Sequence, residues 1–294
     1  MRRKPVRSIK PLIPPKFSKE DIEFYKWFAG FLDGDGYFAF YEKREEPSLK
    51  IAQATWNLHL LELLKEKFGG SINKIKEKRV SNSYRYVLTK RPKLIELLHG
   101  LNGYIRATSR TVQFKKLCDF YNITWIEPSI CIEPDDQYFS GMFDADGSIV
   151  LSVAPNTNYP RMSLTAASKY EHDILLFKYL FKGNIVPRKK EICYNWRIAG
   201  KEDVLFAQKC FGKTLKSNKL TRANLIPLFY ELKEKRAYRD DSPQNKDWKK
   251  FILDWYNNGA DIYRKDCEGV PYTEKARLER EMKKDLAHKN RDEE

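Results

Sequence analysis

The chain has 294 residues, a formal net charge of +15 at pH 7 and a hydrophobic fraction of 41%. This length allows one large domain or two smaller ones, each with a core, and no segment approaches the ~20 apolar residues of a membrane-spanning helix. We therefore expect no membrane partner. The excess of Lys and Arg predicts a polyanion such as nucleic acid as the partner, with a basic protein that has no such partner as the alternative.

The first acidic residue of the chain is Glu20, so the N-terminal segment is basic. It is consistent with an arm that contacts phosphates, an organellar presequence or a leader without structure. The five cysteines show no CxxC spacing, which predicts ordinary reduced thiols rather than a disulfide framework or a zinc site.

An internal repeat is the strongest pattern in the chain. Residues 27–36, WFAGFLDGDG, match residues 138–147, YFSGMFDADG, position by position at an offset of 111 residues. Downstream, residues 49–55 align with 162–168 at an offset of 113 residues, which places Ala166 opposite Gln53. A tandem duplication follows from this order of matches.

Hydrophobic periodicity predicts the same elements after each motif. In the first half these are strands at 37–42 and 49–55, a helix at 58–68, strands at 71–76 and 84–88, and helices around 93–98 and 111–121. In the second half they are strands at 148–153 and 162–168, a helix at 171–181, strands at 184–188 and 193–198, and helices around 202–211 and 220–232.

The predicted fold class is α+β, a tandem pseudo-two-fold repeat of αββαββα units. The predicted domains are a basic arm (1–20), a first repeat (21–125), a linker (126–137), a second repeat (138–236) and a charged C-terminal extension (237–294). Residues 248–256 have the pattern of an amphipathic helix.

Small residues lie four positions apart in both motifs, at Gly30 and Gly34 and at Gly141 and Ala145. Spacing of four places them on one helix face, where two backbones can approach closely. The two motif helices should therefore pack against each other and bring the acids at their ends together.

Asp35 and Asp146 are the last acids of the two motifs. Two adjacent carboxylates repel each other unless a cation lies between them, and oxygen ligands with water suit Mg²⁺. Such a site can hydrolyse phosphodiesters. A calcium-binding loop is excluded, because Phe38 and Ile149 stand where the turn glycine is needed and no acid occupies position twelve.

With both motifs in one chain, residues 28–36 and 139–147 resemble the LAGLIDADG homing endonucleases of the single-chain, two-motif type. The resemblance covers about residues 24–235, and the segment 102–113 resembles members encoded in organellar introns. It implies motif helices at the domain interface and curved antiparallel sheets in the DNA major groove. It also implies Asp35 and Asp146 as ligands of Mg²⁺ or Mn²⁺, with Asp33 and Asp144 supporting the helix ends.

The resemblance further implies three polar groups near the cleavage site. Gln53 corresponds to a residue near the metal-bound water, with a base-reading or surface role as the alternative. Lys219 and Arg110 are candidates to face the scissile phosphate, with phosphate positioning or solvation as alternatives.

The candidate DNA-contacting residues are the outward side chains of the predicted strand runs, where Lys and Arg can bind phosphates or guanine edges. They are Tyr37, Tyr41, Lys43, Lys50, Lys74, Lys76, Arg85, Lys90, Arg188 and Arg197.

The resemblance therefore implies a monomeric, organellar (mitochondrial or chloroplast) endonuclease that cuts an asymmetric double-stranded DNA target of about 20 base pairs, or two helical turns. An RNA-splicing maturase that binds intron RNA, with or without DNA cleavage, is the alternative. A non-enzymatic DNA-binding protein is a further one, which the presence of both acids disfavours. The four histidines form no HNH-like or zinc cluster.

Overall fold

The computed structural model describes residues 15–41, 46–75, 83–153, 159–188 and 192–257. The elements of the first repeat are α1 (Lys19–Asp35), β1 (Gly36–Tyr41), β2 (Glu46–Ala54), α2 (Leu58–Phe68), β3 (Ser71–Lys74), β4 (Ser83–Leu88), α3 (Arg91–Leu101) and α4 (Thr108–Tyr121). Those of the second repeat and beyond are α5 (Gln137–Asp146), β5 (Gly147–Val153), β6 (Pro160–Ser168), α6 (Leu175–Phe181), β7 (Asn184–Pro187), β8 (Tyr194–Ile198), α7 (Lys201–Cys210), α8 (Lys219–Glu234) and α9 (Asn245–Asn257).

The predicted α+β fold class is confirmed. The described strands form two four-stranded antiparallel sheets with the same order in each repeat, β1-β2-β4-β3 and β5-β6-β8-β7. The last helix of the predicted αββαββα unit is a pair of helices, α3 with α4 and α7 with α8. In the described part of the chain, no helix combines the length and the hydropathy of a membrane span.

The described residues fall into two compact units. One lies within Met1–Val150 and Ser163–Ser217 and contains both motif helices and the first sheet. The other lies within Leu151–Met162 and Asn218–Glu294 and contains α8 and α9. In this second unit Phe229 on α8 packs against Trp248 and Phe251 on α9, so the helix predicted at 248–256 has an apolar partner.

Local sequence explains where α1 begins and ends. Ser18 and Asp21 form a capping box, in which the Ser18 hydroxyl oxygen accepts a hydrogen bond from the Asp21 amide at 3.1 Å and satisfies one of the free N–H groups of the first turn. The last turn ends at Gly36, whose amide donates to the carbonyl of Leu32. Between them the helix is apolar on all sides, since every residue from Trp27 to Leu32 is buried, as expected for a helix in a core.

The closest packing in the first unit is between α1 and α5. A Cβ atom on Gly30 would overlap the carbonyl oxygen of Tyr138, and one on Gly141 would overlap the carbonyl oxygen of Trp27. Farther along, a Cβ on Gly34 would overlap the side chain of Ala145. The small residues therefore allow the main chains of α1 and α5 to touch, as their spacing predicts. We call this contact the helix seam.

Tyr86 and Trp196 show how the two sheets correspond. Each is fully buried, and each donates from its polar tip to the carbonyl that follows the preceding helix. Tyr86 Oη lies 2.9 Å from the carbonyl oxygen of Gly69, and Trp196 Nε1 lies 2.7 Å from that of Lys182. The two residues therefore occupy the same place in their repeats.

This correspondence corrects the repeat alignment. Gln53 pairs with the residue two positions before Tyr86, and Ser168 pairs with the residue two positions before Trp196. Ala166 pairs with Trp196 itself. The predicted match of Gln53 with Ala166 is therefore wrong, and Ser168 is the residue that corresponds to Gln53. A shift of two residues keeps every side chain on the same face of a strand, so apolar alternation could not reveal it.

We predict that Gly141→Ala lowers the free energy of unfolding by about 3 kcal/mol, because the new methyl group must push two main chains apart. Gly200→Ala is the matched control. Its Cβ would meet only the Asp203 side chain, at 3.2 Å, so a loss below about 1 kcal/mol is expected. Urea unfolding followed by circular dichroism compares the two, and equal losses would contradict close contact at the helix seam.

Candidate functional site

The two motif acids lie at the ends of the packed helices. Asp35 is the last residue of α1 and Asp146 the last residue of α5, and both are half-buried. A Cβ on Gly34 would lie 2.9 Å from Oδ2 of Asp146, so the second acid rests against the main chain next to the first. The helix seam thus brings Asp35 and Asp146 to one place.

Gln53 joins this pair from the end of β2. Its Nε2 donates to Oδ2 of Asp35 at 2.5 Å, and its Oε1 accepts from Nδ2 of Asn57 at 3.2 Å. Gln53 and Asn57 are each 8% exposed. The Asp35 carboxylate, when ionised, can only accept hydrogen bonds, so the nitrogen of the Gln53 amide faces it and the oxygen is left to accept from Asn57.

Arg110, in the first turn of α4, lies beneath the first motif and is 8% exposed. Its Nε donates to the carbonyl of Leu32 at 2.8 Å, and its Nη2 lies 3.5 Å from the carbonyl of Asp33. The Leu32 carbonyl, which also accepts from the Gly36 amide, thus gains a second donor. The positive charge of the guanidinium lies at the C-terminal end of α1, where the helix dipole favours a cation. The solvated role considered for Arg110 does not apply, because the side chain is buried.

The charge of Arg110 also interacts with several acids. Burial lowers the pKa of Arg110, and the charges of Asp33, Asp146, Asp35 and Asp173 oppose that shift, in that order. A guanidinium this basic keeps its charge in a protein. It therefore offsets part of the repulsion among the clustered carboxylates.

Asp33 and Asp144, the inner acids of the motifs, bind main-chain amides. Oδ2 of Asp33 accepts from the amides of Arg106 at 2.8 Å and Ala107 at 3.0 Å. Asp144 accepts from the amides of Lys216 at 2.8 Å and Ser217 at 3.0 Å. Asp33 thus joins α1 to the segment just before α4, and Asp144 joins α5 to the segment just before α8.

Each inner acid also binds an aromatic side chain from the opposite motif helix. Tyr138 Oη donates to Asp33 at 2.9 Å, and Trp27 Nε1 donates to Asp144 at 2.8 Å. Trp27 and Tyr138 occupy matching positions in the repeat. Desolvation raises the pKa of Asp33 to about 6, and the hydrogen bonds from Arg106, Ala107 and Tyr138 oppose that shift.

The donor set at the helix ends fits a hard divalent cation. Asp35 and Asp146 supply carboxylate oxygens, which Mg²⁺ and Mn²⁺ prefer. Within the described ranges, no group of three or more His, Cys, Asp and Glu side chains is arranged to hold a metal. Two acids alone leave most of a metal's coordination positions to water and substrate oxygens, which is how Mg²⁺ is commonly bound.

Lys219 is the first residue of α8, in the second compact unit, and it is half-buried. The structure therefore brings Asp35, Asp146, Gln53 and Arg110 together in the first unit, while Lys219 belongs to the other.

The strand register defines the outward face of the first sheet. Tyr37 pairs with Lys50, and Ala52, two residues farther along β2, pairs with Arg85. Tyr37 is 51% exposed and Arg85 is exposed. Because alternate residues share a face, Tyr37, Lys50 and Arg85 lie on the side opposite the buried Phe38.

The remaining candidates are placed less uniformly. Lys74 pairs with Tyr84, and Asn73 pairs with Arg85. Because neighbours along a strand point to opposite faces, Lys74 lies on the face opposite to Arg85, and its predicted outward orientation is wrong, although the residue is exposed. Lys90 precedes α3, and Arg188 and Arg197 are exposed on or beside the strands of the second sheet. Tyr41 ends β1, and Lys43 and Lys76 lie outside the described residues.

Three kinds of site residue escaped sequence reasoning. Trp27 and Tyr138 align in the repeat, so their shared role as donors could have been inferred from that match. Gln113, whose Oε1 accepts from Arg110 Nη1 and from the Phe38 amide, is the last residue of the segment 102–113, whose resemblance implies no separate role for it. Asp173 carried no signal in the sequence.

Comparison with known proteins agrees with this geometry. Residues 28–121 match the LAGLIDADG endonuclease family. The chain is 34% identical over 252 residues to the intron-encoded RNA maturase bI4 of Saccharomyces cerevisiae, an alignment that covers 82% of this chain and 38% of that protein. This chain belongs to the LAGLIDADG family.

Other LAGLIDADG relatives are named as nucleases. The intron-encoded DNA endonuclease ai2b of Dictyostelium discoideum is 29% identical over 235 residues, covering 78% of this chain and 88% of that protein. The homing endonuclease I-GzeII, solved with its DNA target, aligns with a TM-score of 0.58 at 14% identity, over 80% of this chain and 98% of that one. The structural likeness confirms the LAGLIDADG fold. The chain spans about two fifths of the length of the first curated relatives that it matches.

We predict that Tyr138→Phe lowers the free energy of unfolding by about 2 kcal/mol, because it removes a hydrogen bond to the buried carboxylate of Asp33. Tyr179→Phe is the matched control, since Tyr179 is 73% exposed. Denaturant titration of both variants measures the difference. If the two variants were equally stable, the bond between the repeats would contribute nothing.

Proposed function

We propose that this chain is a site-specific DNA endonuclease that hydrolyses one phosphodiester bond in each strand of a long, asymmetric target. The observation that carries this proposal is the meeting of Asp35 and Asp146 at the ends of two helices whose main chains touch. The family match and the relatives named as endonucleases support it.

In this proposal Asp35 and Asp146 hold Mg²⁺, or Mn²⁺ in its place. The bound ion supplies an activated water and stabilises charge on the phosphate oxygens. The packing of α1 against α5 keeps the two carboxylates close together. Their mutual repulsion therefore favours the binding of a cation between them.

The neighbouring polar groups orient the first acid. Gln53 donates a hydrogen bond to one carboxylate oxygen of Asp35, and Arg110 donates to the carbonyl of Leu32, three residues before Asp35. We propose that Gln53 and Arg110 are both positioning residues for Asp35. For Lys219, on α8, we propose contact with a backbone phosphate of the target.

The outward faces of the two sheets form the proposed DNA surface. Tyr37, Lys50 and Arg85 in the first repeat, with Arg188 and Arg197 in the second, supply donors suited to phosphates and guanine edges. Relatives of this fold have been solved with DNA, including I-GzeII and I-AabMI. The target is about 20 base pairs, which corresponds to two helical turns.

One chain carries both motifs, so we propose that it acts as a monomer on a non-palindromic site. Gln53 and its counterpart Ser168 differ, which adds chemical asymmetry between the half-sites. Because its relatives are named as intron-encoded, we propose an organellar location, in the mitochondrion or chloroplast.

Asp35→Asn and Asp146→Asn should each abolish double-strand cleavage while leaving DNA affinity within about threefold, because amides bind metal ions weakly but preserve the shape of the site. The wild-type protein is first incubated with a randomised DNA library in Mg²⁺, and the cut ends are sequenced to recover the target. Asp119→Asn, an exposed acid on α4, is the control and should cut normally. Normal cleavage by either motif variant would contradict the assignment of Asp35 and Asp146 to one metal site.

The net charge of +15 predicts electrostatic binding that weakens steeply with salt. If six or more phosphates are neutralised, affinity should fall by about 10³-fold between 50 and 200 mM salt. Arg85→Ala should reduce the slope of log K against log[salt] by about one if Arg85 contacts a phosphate. Fluorescence anisotropy with the recovered target measures both, and a flat salt dependence would exclude the basic surface as the binding face.

A maturase role is the second candidate, and the 34% identity to a protein named as an RNA maturase favours it. Binding of the protein to an intron RNA, measured in competition with the recovered DNA target, distinguishes the functions. Splicing that survives in Asp146→Asn while cleavage is lost would show that the chain performs both.

A further inference from the structure

We propose that Asp173, from the second repeat, is a positioning residue for the metal ligand Asp35 of the first repeat and acts through the N-terminus of α4. The inference rests on the proposed endonuclease function, because it assigns to Asp173 control over how well that site binds its cation. It begins from a carboxylate that the function described so far does not use.

Asp173 caps a helix of the opposite repeat. Its side chain is 4% exposed, and its Oδ1 accepts from the amide of Thr108 at 3.0 Å and from the Thr108 hydroxyl at 2.7 Å. Oδ2 accepts from the hydroxyl of Ser168 at 3.3 Å. The N-cap of α4 is Ala107, which provides no side-chain acceptor, so Asp173 supplies from outside what the helix's own sequence lacks.

The capped turn holds the main chain on both sides of Asp35. Arg110, two residues after Thr108, donates to the carbonyl of Leu32 at 2.8 Å, and its Nη1 donates to Gln113 at 2.8 Å. Gln113 in turn accepts from the amide of Phe38 at 3.0 Å. Two residues one turn apart on α4 therefore bind the main chain three residues before Asp35 and three residues after it.

This arrangement makes the position of Asp35 depend on that of α4. A displacement of the first turn of α4 moves both contacts at once, since Arg110 and Gln113 are neighbours on one helix face. Partners that orient a metal ligand affect affinity even when they do not touch the ion. Asp173 fixes the first residue of this turn and also contributes to the electrostatic field at Arg110.

The first repeat has no acid at the corresponding place. Asp173 lies in the short turn Glu171–Ile174 that precedes α6. The turn that precedes α2, Thr55–Asn57, contains no Asp or Glu. A carboxylate in this turn is therefore a feature of the second repeat, which is the repeat that contacts Thr108 of α4.

The test uses two substitutions of Asp173 in the full chain. Asp173→Asn keeps an oxygen that can accept from Thr108, whereas Asp173→Leu is similar in size and keeps no acceptor. Mn²⁺ binding is measured directly from the electron paramagnetic resonance signal of the free ion, with and without target DNA, and the Mn²⁺ dependence of cleavage is measured separately.

Asp173→Leu should raise the Mn²⁺ concentration for half-saturation about tenfold, and Asp173→Asn should raise it less than about threefold. DNA affinity without metal should not change.

Asp136→Ala is the matched control. Asp136 also caps a helix and crosses between repeats, through Tyr138 N at 2.9 Å and Lys26 Nζ at 2.5 Å, but at the end of α5 away from the acids. It should lower the melting temperature and leave the Mn²⁺ curve unchanged.

Unchanged Mn²⁺ binding by folded Asp173→Leu, or an equal shift in Asp136→Ala, would overturn the proposal. If Asp173→Leu fails to fold, Thr108→Ala removes one of the two hydrogen bonds and must shift the Mn²⁺ curve in the same direction; an unshifted curve in that variant is equally contrary. Failure of the endonuclease function gives a different result, in which the wild-type chain neither binds Mn²⁺ nor cuts.

Discussion

Direct contact between the main chains of α1 and α5 is the constraint on which the site depends. At Gly30 and Gly141 there is no room for even one methyl group, because the carbonyl oxygen of the opposite helix occupies that space. Such contact fixes both the separation of the helices and their register along the seam. The acids at the helix ends inherit that register, which is why two carboxylates from distant parts of the chain come together.

Hydrogen bonds between the repeats maintain this arrangement. The indole of Trp27 and the phenol of Tyr138 each donate to the inner acid of the opposite motif, and each inner acid also binds two amides of its own repeat. Neither half therefore completes its acidic helix end alone. Asp35, the last acid of the first motif, has further support from Gln53 and from the first turn of α4.

Much of the fold could be predicted, because apolar spacing reports directly on which face of a helix or strand is buried; the bounds predicted for α2, 58–68, are those observed. The features that were missed depend on information that spacing lacks. The slip that matched Gln53 to Ala166 preserved face alternation. The face of the first sheet on which Lys74 lies could be recognised only from the pairing of β3 with β4. Arg110 was recognised as important, but its burial against carbonyl groups is a tertiary fact, and so is the contact of Asp173 with Thr108 of the other repeat.

The reciprocal aromatic bonds also bear on how far the two halves can be exchanged. Each half offers an N–H or O–H donor at the start of its motif and a carboxylate acceptor near the end, so the same chemistry is presented from either side. A half taken from a relative with an aromatic donor at this position would meet a compatible surface. Recombination of halves, and with it the reassortment of half-sites in a DNA target, would then be limited by one-sided contacts such as that of Asp173 with Thr108 rather than by the seam itself.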